Sequence, residues 1–197
     1  MITLLLATRN LHKVRELRRL LRGLPVRFIT LDRLPGIPPV KENGATFRAN
    51  AIKKAVATSR RTILPVLAED SGLEVRALKG LPGVRSARFA GPAQNDSDNF
   101  SKLLRRMSVI SPARRQARFV CVMALAVGGR LIRTFEGNCP GSIALQAAGR
   151  GGFGYDPVFS PRGCRKTTAQ MGAGEKDRFS HRGKAAGKLK GWLRKFL

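Results

Sequence analysis

Glu69 and Asp70 stand side by side ahead of Ser71-Gly72, at the end of the apolar run Leu64 to Ala68. The end of a buried strand is where α/β proteins place their ligands. If the strand continues through the pair, alternation sends the two carboxylates to opposite faces, so one can bind a metal while the other activates water or holds the first. If Asp-Ser-Gly is only a turn, neither role follows. Glu42, in the loop after Pro35-Gly36-Ile37-Pro38-Pro39, is a third candidate. The 197 residues contain 12 Asp+Glu against 38 Lys+Arg, a formal charge of +26. In so basic a chain, Glu42, Glu69, Asp70 and Asp156, set beside Gly, Ser, Thr and Asn, are where a cation would be sought. Hard oxygen donors without a His or Cys cluster favour magnesium over zinc.

Thr8-Arg9-Asn10-Leu11-His12-Lys13 combines a hydroxyl, an amide, a cation and the free N–H groups of a helix start, which are the parts of a phosphate site. The same residues also describe an ordinary capped helix with solvated charges. Gly149-Arg150-Gly151-Gly152-Phe153-Gly154 matches G-x-G-x-x-G in form only, because Pro157 follows at once and no helix can open on the glycines. No Walker A spacing occurs. Lys176, Ser180, His181 and Arg182 are expected to open the last helix, where Ser-His-Arg reads as capping; without Gly-x-Ser-x-Gly, serine nucleophile chemistry is disfavoured.

The elements that must position these groups alternate. Ile2 to Ala7 reads as a buried strand, and Val14, Leu17, Leu20 and Leu21 recur at helical spacing before Gly23-Leu24-Pro25. Val26 to Leu31 is a second strand; Thr46 begins a helix to about Ser59 with Phe47, Ala51, Ala55 and Val56 on one stripe. Leu64 to Ala68 is a strand, after which Leu73, Val75 and Ala77 alternate with charge. Asp96 is expected to cap a helix ending near Met107. Arg118 to Val127 is the most apolar strand, returned by Gly128-Gly129 into Leu131 to Glu136 as a hairpin. A basic helix from about Arg182 to Phe196 closes the chain. No repeat and no linker divides residues 1–197, which read as one α/β domain.

The longest apolar run, Phe119 to Val127, is about half of what a bilayer crossing needs. Met1 to Ala7 has neither the cationic region nor the cleavage site of a signal peptide. A cytoplasmic protein with no membrane contact is expected. Cys121, Cys139 and Cys164 are too widely spaced for a metal knuckle and read as reduced thiols. The 26 Arg and 12 Lys are scattered without a block, so nucleic acid is expected only as a non-specific ligand.

Taken in order, Thr8 to Lys13, Glu42 with Thr46-Phe47 and Asn50-Ala51, Ala68-Glu69-Asp70-Ser71-Gly72-Leu73, and Leu81-Pro82-Gly83-Val84-Arg85-Ser86-Ala87-Arg88 resemble the inosine triphosphate pyrophosphatase family, the Ham1-like noncanonical purine NTP pyrophosphatases of bacteria. Arg118-Phe119, Gly151-Gly152-Phe153-Gly154-Tyr155-Asp156-Pro157-Val158-Phe159, and Lys176 with Ser180-His181-Arg182-Gly183 extend the resemblance from residue 3 to the final helix. It implies a two-lobed α/β fold with a long mixed sheet, a cleft between lobes and a homodimer. It also implies magnesium-dependent hydrolysis of ITP, dITP and XTP to the nucleoside monophosphate and pyrophosphate. Carried onto this sequence, Thr8, Arg9, Asn10, Leu11, His12 and Lys13 would hold the triphosphate. Glu42 and Asp70 would hold Mg2+, and Asp70 would accept a proton from water. Ser71, Phe153, Gly154, Tyr155, Asp156, Lys176, His181 and Arg182 would hold the nucleotide, with Arg182 and the backbone amides of Phe153 to Tyr155 at the base edge. Three positions depart from the pattern: Arg9 replaces a smaller residue, Glu69 a more frequent Asp, and Ala49 a Glu whose loss is expected to loosen the helix supporting Glu42.

Two alternatives stand beside this. One is a basic nucleic-acid-binding protein with decayed enzyme motifs, against which the low aromatic content of 6% argues. The other is a pyrophosphatase of the same fold acting on pyrimidine or modified nucleotides, against which Phe-Gly-Tyr-Asp and Ser-His-Arg argue.

Overall fold

The apolar run Ile2–Leu6 forms β1, and Asn10, Thr8 and the helical stripe behind them start α1 (Leu11–Leu20) at once. In the computed structural model, which describes residues 2–196, α1 returns the chain to β2 (Val26–Thr30), parallel to β1 with Ile2 opposite Val26 and Leu6 opposite Thr30. This is a βαβ unit, for which a parallel neighbour requires a crossover element. Next come α2 (Phe47–Ser59), β3 (Val66–Val75), α3 (Asp96–Met107), β4 (Gln116–Val127) and β5 (Arg130–Ile143). The chain ends with β6 (Phe159–Pro161), α4 (Ala173–Phe179) and α5 (His181–Leu193). The sheet order is β2-β1-β3-β4-β5-β6, with β1 parallel to β3 and β6 antiparallel to β5. The mixed α/β architecture expected from the sequence is the one observed.

The chain divides into two compact units: residues 1–70, 121–137 and 182–197, and residues 71–120 and 138–181. In the first, Leu4, Leu6, Leu17 and Leu21 pack with Met123, Leu125, Ala185 and Leu189, so α1 and α5 bury their apolar stripes against the strands. In the second, Leu103 and Met107 of α3 pack with Val75, Phe119, Tyr155 and Phe159. Each such large apolar side chain contributes about 1.5–3 kcal/mol when fully buried.

Four local expectations change. β3 runs unbroken through Glu69-Asp70-Ser71-Gly72, because burial of Val66 to Asp70 leaves no room for a solvated turn. Asn95, not Asp96, caps α3, its Oδ1 accepting from the Ser97 and Asp98 amides. β5 extends to Ile143 because its far end pairs with β6, which no local pattern announced. Lys176 lies on a separate helix, α4, that ends at Phe179 with Ser180 as its C-cap, so α5 starts with His181. The Gly128-Gly129 hairpin is as expected, with φ of 54° and 80°, the conformation that a tight primed turn requires. Among the described residues, no helix is long and apolar enough to cross a membrane.

Candidate active site

In the first unit, the parallel register continues past β1, since the Ala7 amide donates to the Leu67 carbonyl at 2.8 Å. The Thr8 loop therefore leaves the sheet beside Glu69 and Asp70 of β3, at the carboxyl ends of parallel strands. Thr8 Oγ1 accepts from the Asn10 amide at 3.2 Å, and Asn10 Oδ1 caps α1 by accepting from the Lys13 amide at 3.1 Å. Arg9 and His12 are exposed, whereas Lys13 turns inward and its Nζ reaches Glu69 at 3.1 Å.

Asp70 is built into a chain of contacts. The buried Asn50 of α2 donates through Nδ2 to Asp70 Oδ2 at 2.9 Å, and its Oδ1 accepts from the Gly44 amide at 2.7 Å. One amide thus fixes both the carboxylate and the loop carrying Glu42. A Cβ on Gly44 would stand 2.8 Å from Asn50 Oδ1, so glycine is required for this approach. Lys54, one turn further along α2, pairs with Glu42 at 3.1 Å. Burial raises the Asp70 pKa above the ordinary aspartate value; Lys54, Lys13 and the Asn50 hydrogen bond oppose this, and Glu42 adds to it. Two carboxylates that repel each other across a polar site, both with oxygen donors, fit a hard divalent cation.

The opposite face of β3 is occupied differently. Arg182 donates through Nε and Nη2 to the two oxygens of Glu69, each at 2.8 Å, and through Nη1 to Glu16 at 2.6 Å. Burial alone would raise the Glu69 carboxyl, but Arg182 and Lys13 hold it well below the usual carboxylate range. Burial and the nearby Glu69 push the Cys121 thiol up, so it remains protonated.

The second unit holds a compact loop around Phe153. Asp156, buried, accepts from the Phe153 amide at 2.8 Å, from Thr168 Oγ1 at 2.8 Å and from Lys176 Nζ at 2.6 Å. Lys176 Nζ also lies 5.2 Å from the centre of the Phe153 ring. Gly152 has φ of 74°, and a Cβ there would collide with the Asp156 carboxylate. Tyr155 is buried and donates its hydroxyl to the Ser86 carbonyl at 2.8 Å. The buried His181 ring stacks on Phe119, with centroids 4.6 Å apart and planes at 10°.

The model of the Ham1 family matches residues 4–192. The chain belongs to the Ham1 family. It is 47% identical to the dITP/XTP pyrophosphatase of Geobacillus kaustophilus over 94% of this chain and 91% of that protein. The dITP/XTP pyrophosphatase of Desulforamulus reducens is also 47% identical, over 92% of this chain and 90% of that protein. The structure of a HAM1 protein from Coxiella burnetii superposes with a TM-score of 0.90 at 37% identity, covering 99% of this chain and all of that one.

For this Ham1-family chain, the first unit brings together Glu42 and Asp70, with the Lys13 ammonium paired to the adjacent Glu69 and its charge felt by Asp70; the second brings together Phe153, Asp156 and Lys176. Three sequence expectations change. Glu69 is not placed to bind a metal, because both its oxygens serve Arg182. Arg182 is 1% exposed and each of its three nitrogens already donates to a carboxylate, so it is an anchor of the buried ion network rather than a group presented to a base edge. The Phe153 and Gly154 amides are likewise taken, by Asp156 and Asp96. At the start of α2 the Ala49 amide donates to the Thr46 cap at 3.1 Å, and Lys54 pairs with Glu42. Sequence reasoning missed Lys54, Glu16 and Asp96, whose importance depends on contacts 12 to 166 positions away along the chain. The Arg-rich composition hid Lys54 among many cations; the scarcity of acids was the usable signal for the other two.

Proposed function

We propose that this Ham1-family chain hydrolyses noncanonical purine nucleoside triphosphates, ITP, dITP and XTP, to the nucleoside monophosphate and pyrophosphate, acting in the cytoplasm as a homodimer. The observation that carries this is Asp70: a buried carboxylate with a raised pKa, oriented by Asn50 and set near Glu42 and Lys54, is suited to take a proton from water. The relatives named dITP/XTP pyrophosphatase support the substrate class.

The triphosphate falls to Thr8 to Lys13, where the backbone N–H groups at the start of α1 and the Lys13 charge favour an anion. Glu42 and Asp70 would hold Mg2+, which supplies neutralisation of the polyphosphate charge. Asp70 holds the attacking water by hydrogen bonding and accepts its proton as the oxygen bonds to the α-phosphorus. The bond from that phosphorus to the bridging oxygen breaks, and pyrophosphate leaves with the bond electrons. The Lys54 charge opposes the effect of burial and so favours the ionised form of Asp70.

The purine falls to the second unit, together with Ser71. Phe153 offers a face for stacking, and Lys176 with Asp156 fixes the loop below it. The Tyr155 amide has no acceptor among the described residues and, with His181 steadied by Phe119, is the donor offered to the C6 carbonyl of hypoxanthine or xanthine. Adenine would face those donors with an amine, a mismatch of about 1–3 kcal/mol when buried. Guanine shares the carbonyl and must be refused at C2, by a steric limit or a further donor.

Pyrophosphate release measured against ITP, dITP, XTP, ATP and GTP with magnesium tests this. The first three are expected well ahead of the last two. Equal catalytic efficiency on GTP and ITP would overturn the base assignment, and no release from any of them would overturn the activity.

A further inference from the structure

Asp96 opens α3 and accepts a hydrogen bond from the Gly154 amide at 2.7 Å, 58 positions away. It forms no ion pair among the described residues, although the chain carries 38 Lys+Arg and only 12 Asp+Glu. An acid in such surroundings that is committed to a backbone amide, and not to a cation, has a geometric task. It is not the helix cap either, since Asn95 fills that role.

The amide it holds follows the Phe153 amide, which is held by Asp156. Two consecutive N–H groups therefore end on two carboxylates from different parts of the second unit. Gly154 has φ of 65°, in the left-handed region that glycine favours, and a glycine's freedom leaves the turn in need of outside contacts to choose one form. The post that carries Asp96 is firm. Asn99 joins α3 to the preceding loop through the Ala90 amide at 2.7 Å and the Ala87 carbonyl at 3.1 Å. Leu103 and Met107 are fully buried, and the Arg115 guanidinium takes the Met107 carbonyl at 2.6 Å. A binding group is held in register when its supporting shell sits on a rigid element.

We infer that Asp96 is a positioning residue for the purine platform: by holding the Gly154 amide it fixes the loop on which the Phe153 ring is displayed. This rests on the proposal that Phe153 stacks on the base. Stacking acts on the face of any purine, so loss of the contact weakens binding of all purine substrates alike and leaves the choice at the base edge unchanged.

The experiment uses the full chain with magnesium and measures pyrophosphate release from XTP, dITP and GTP for wild type, Asp96→Ala, Asp96→Ser, Asp96→Asn, Phe153→Ala and the Asp96→Ala/Phe153→Ala pair. Asp96→Ala is expected to raise KM for each substrate about five- to tenfold, the loss of one charge-assisted hydrogen bond, with kcat within about twofold. Asp96→Ser, compatible with a first helical turn but too short to reach the amide, should match it if Ala disturbs folding. Asp96→Asn retains an acceptor oxygen and should restore KM. The double variant should show the KM of Phe153→Ala alone, because the two residues act in series. An unchanged KM in Asp96→Ala and Asp96→Ser, an additive double variant, or an Asn variant as impaired as Ala overturns the inference while leaving the activity standing. A wild type that releases no pyrophosphate, or a Phe153→Ala with normal KM, overturns the underlying proposal and the inference with it.

Discussion

In the proposed reaction, Asp70 would serve chemistry at the expense of stability. Burial raises its pKa, so the fold favours the protonated form relative to the unfolded chain, and the ionised carboxylate needed for accepting a proton destabilises the native state at neutral pH. Asn in its place keeps an oxygen for the Asn50 donor and removes the buried charge. Asp70→Asn is therefore expected to lose pyrophosphate release by about a hundredfold or more, and to melt at a higher temperature than wild type when both are free of divalent ions. The activity assay and a thermal melt check the two halves separately. A folded Asp70→Asn with near wild-type turnover removes Asp70 from the mechanism, and a lower melting temperature contradicts the origin given for its pKa.

At the scale of elements, Arg182 of α5, Glu69 of β3 and Glu16 of α1 join three segments far apart in sequence through one guanidinium. Such a network contributes little over well-packed apolar residues, but removal of one member strands the others without water. Arg182→Met leaves two buried carboxylates uncompensated and should cost about 3–5 kcal/mol, read as a lower urea midpoint with unchanged slope. The network also sets the acid limit. Because Arg182 and Lys13 depress the folded-state Glu69 pKa, its contribution is present above the unfolded glutamate value of about 4.3 and is lost as pH falls through the folded value. The wild type should lose stability on acidification from about pH 4 downward, and Glu69→Gln should flatten that part of the curve.

For the whole molecule, the +26 charge and the scarcity of acids decide what the surface attracts. Many of the acids are committed to particular partners: Glu16 and Glu69 to Arg182, Glu42 to Lys54, Glu74 to Arg118, Glu136 to Arg48, Asp156 to Lys176. The excess cations, such as Arg15, Arg18, Arg105 and Lys195, lie exposed and scattered over different elements. Binding to unrelated DNA and RNA is expected to be weak, blind to sequence and largely lost between about 50 and 200 mM salt. Filter binding across that range checks it; sequence-selective binding that survives about 0.2 M salt would favour a nucleic-acid function instead.

The main strands and helices up to β5, the loop and helix start at Thr8 to Lys13, the Thr46 cap and the Gly128-Gly129 hairpin are legible in the residues alone. Each of these follows from local spacing, capping or turn chemistry, where the interacting residues lie within a few positions or the side-chain period is fixed. Only the tertiary structure decided what Glu69 and Arg182 do, because a charged pair reads the same in sequence whether it faces solvent, substrate or its own buried partners. It also decided the length of β5, the separateness of α4 and the use of Asp96. In each case the deciding contact comes from a distant segment, and burial, not residue type, sets whether the group is offered to a ligand or already engaged.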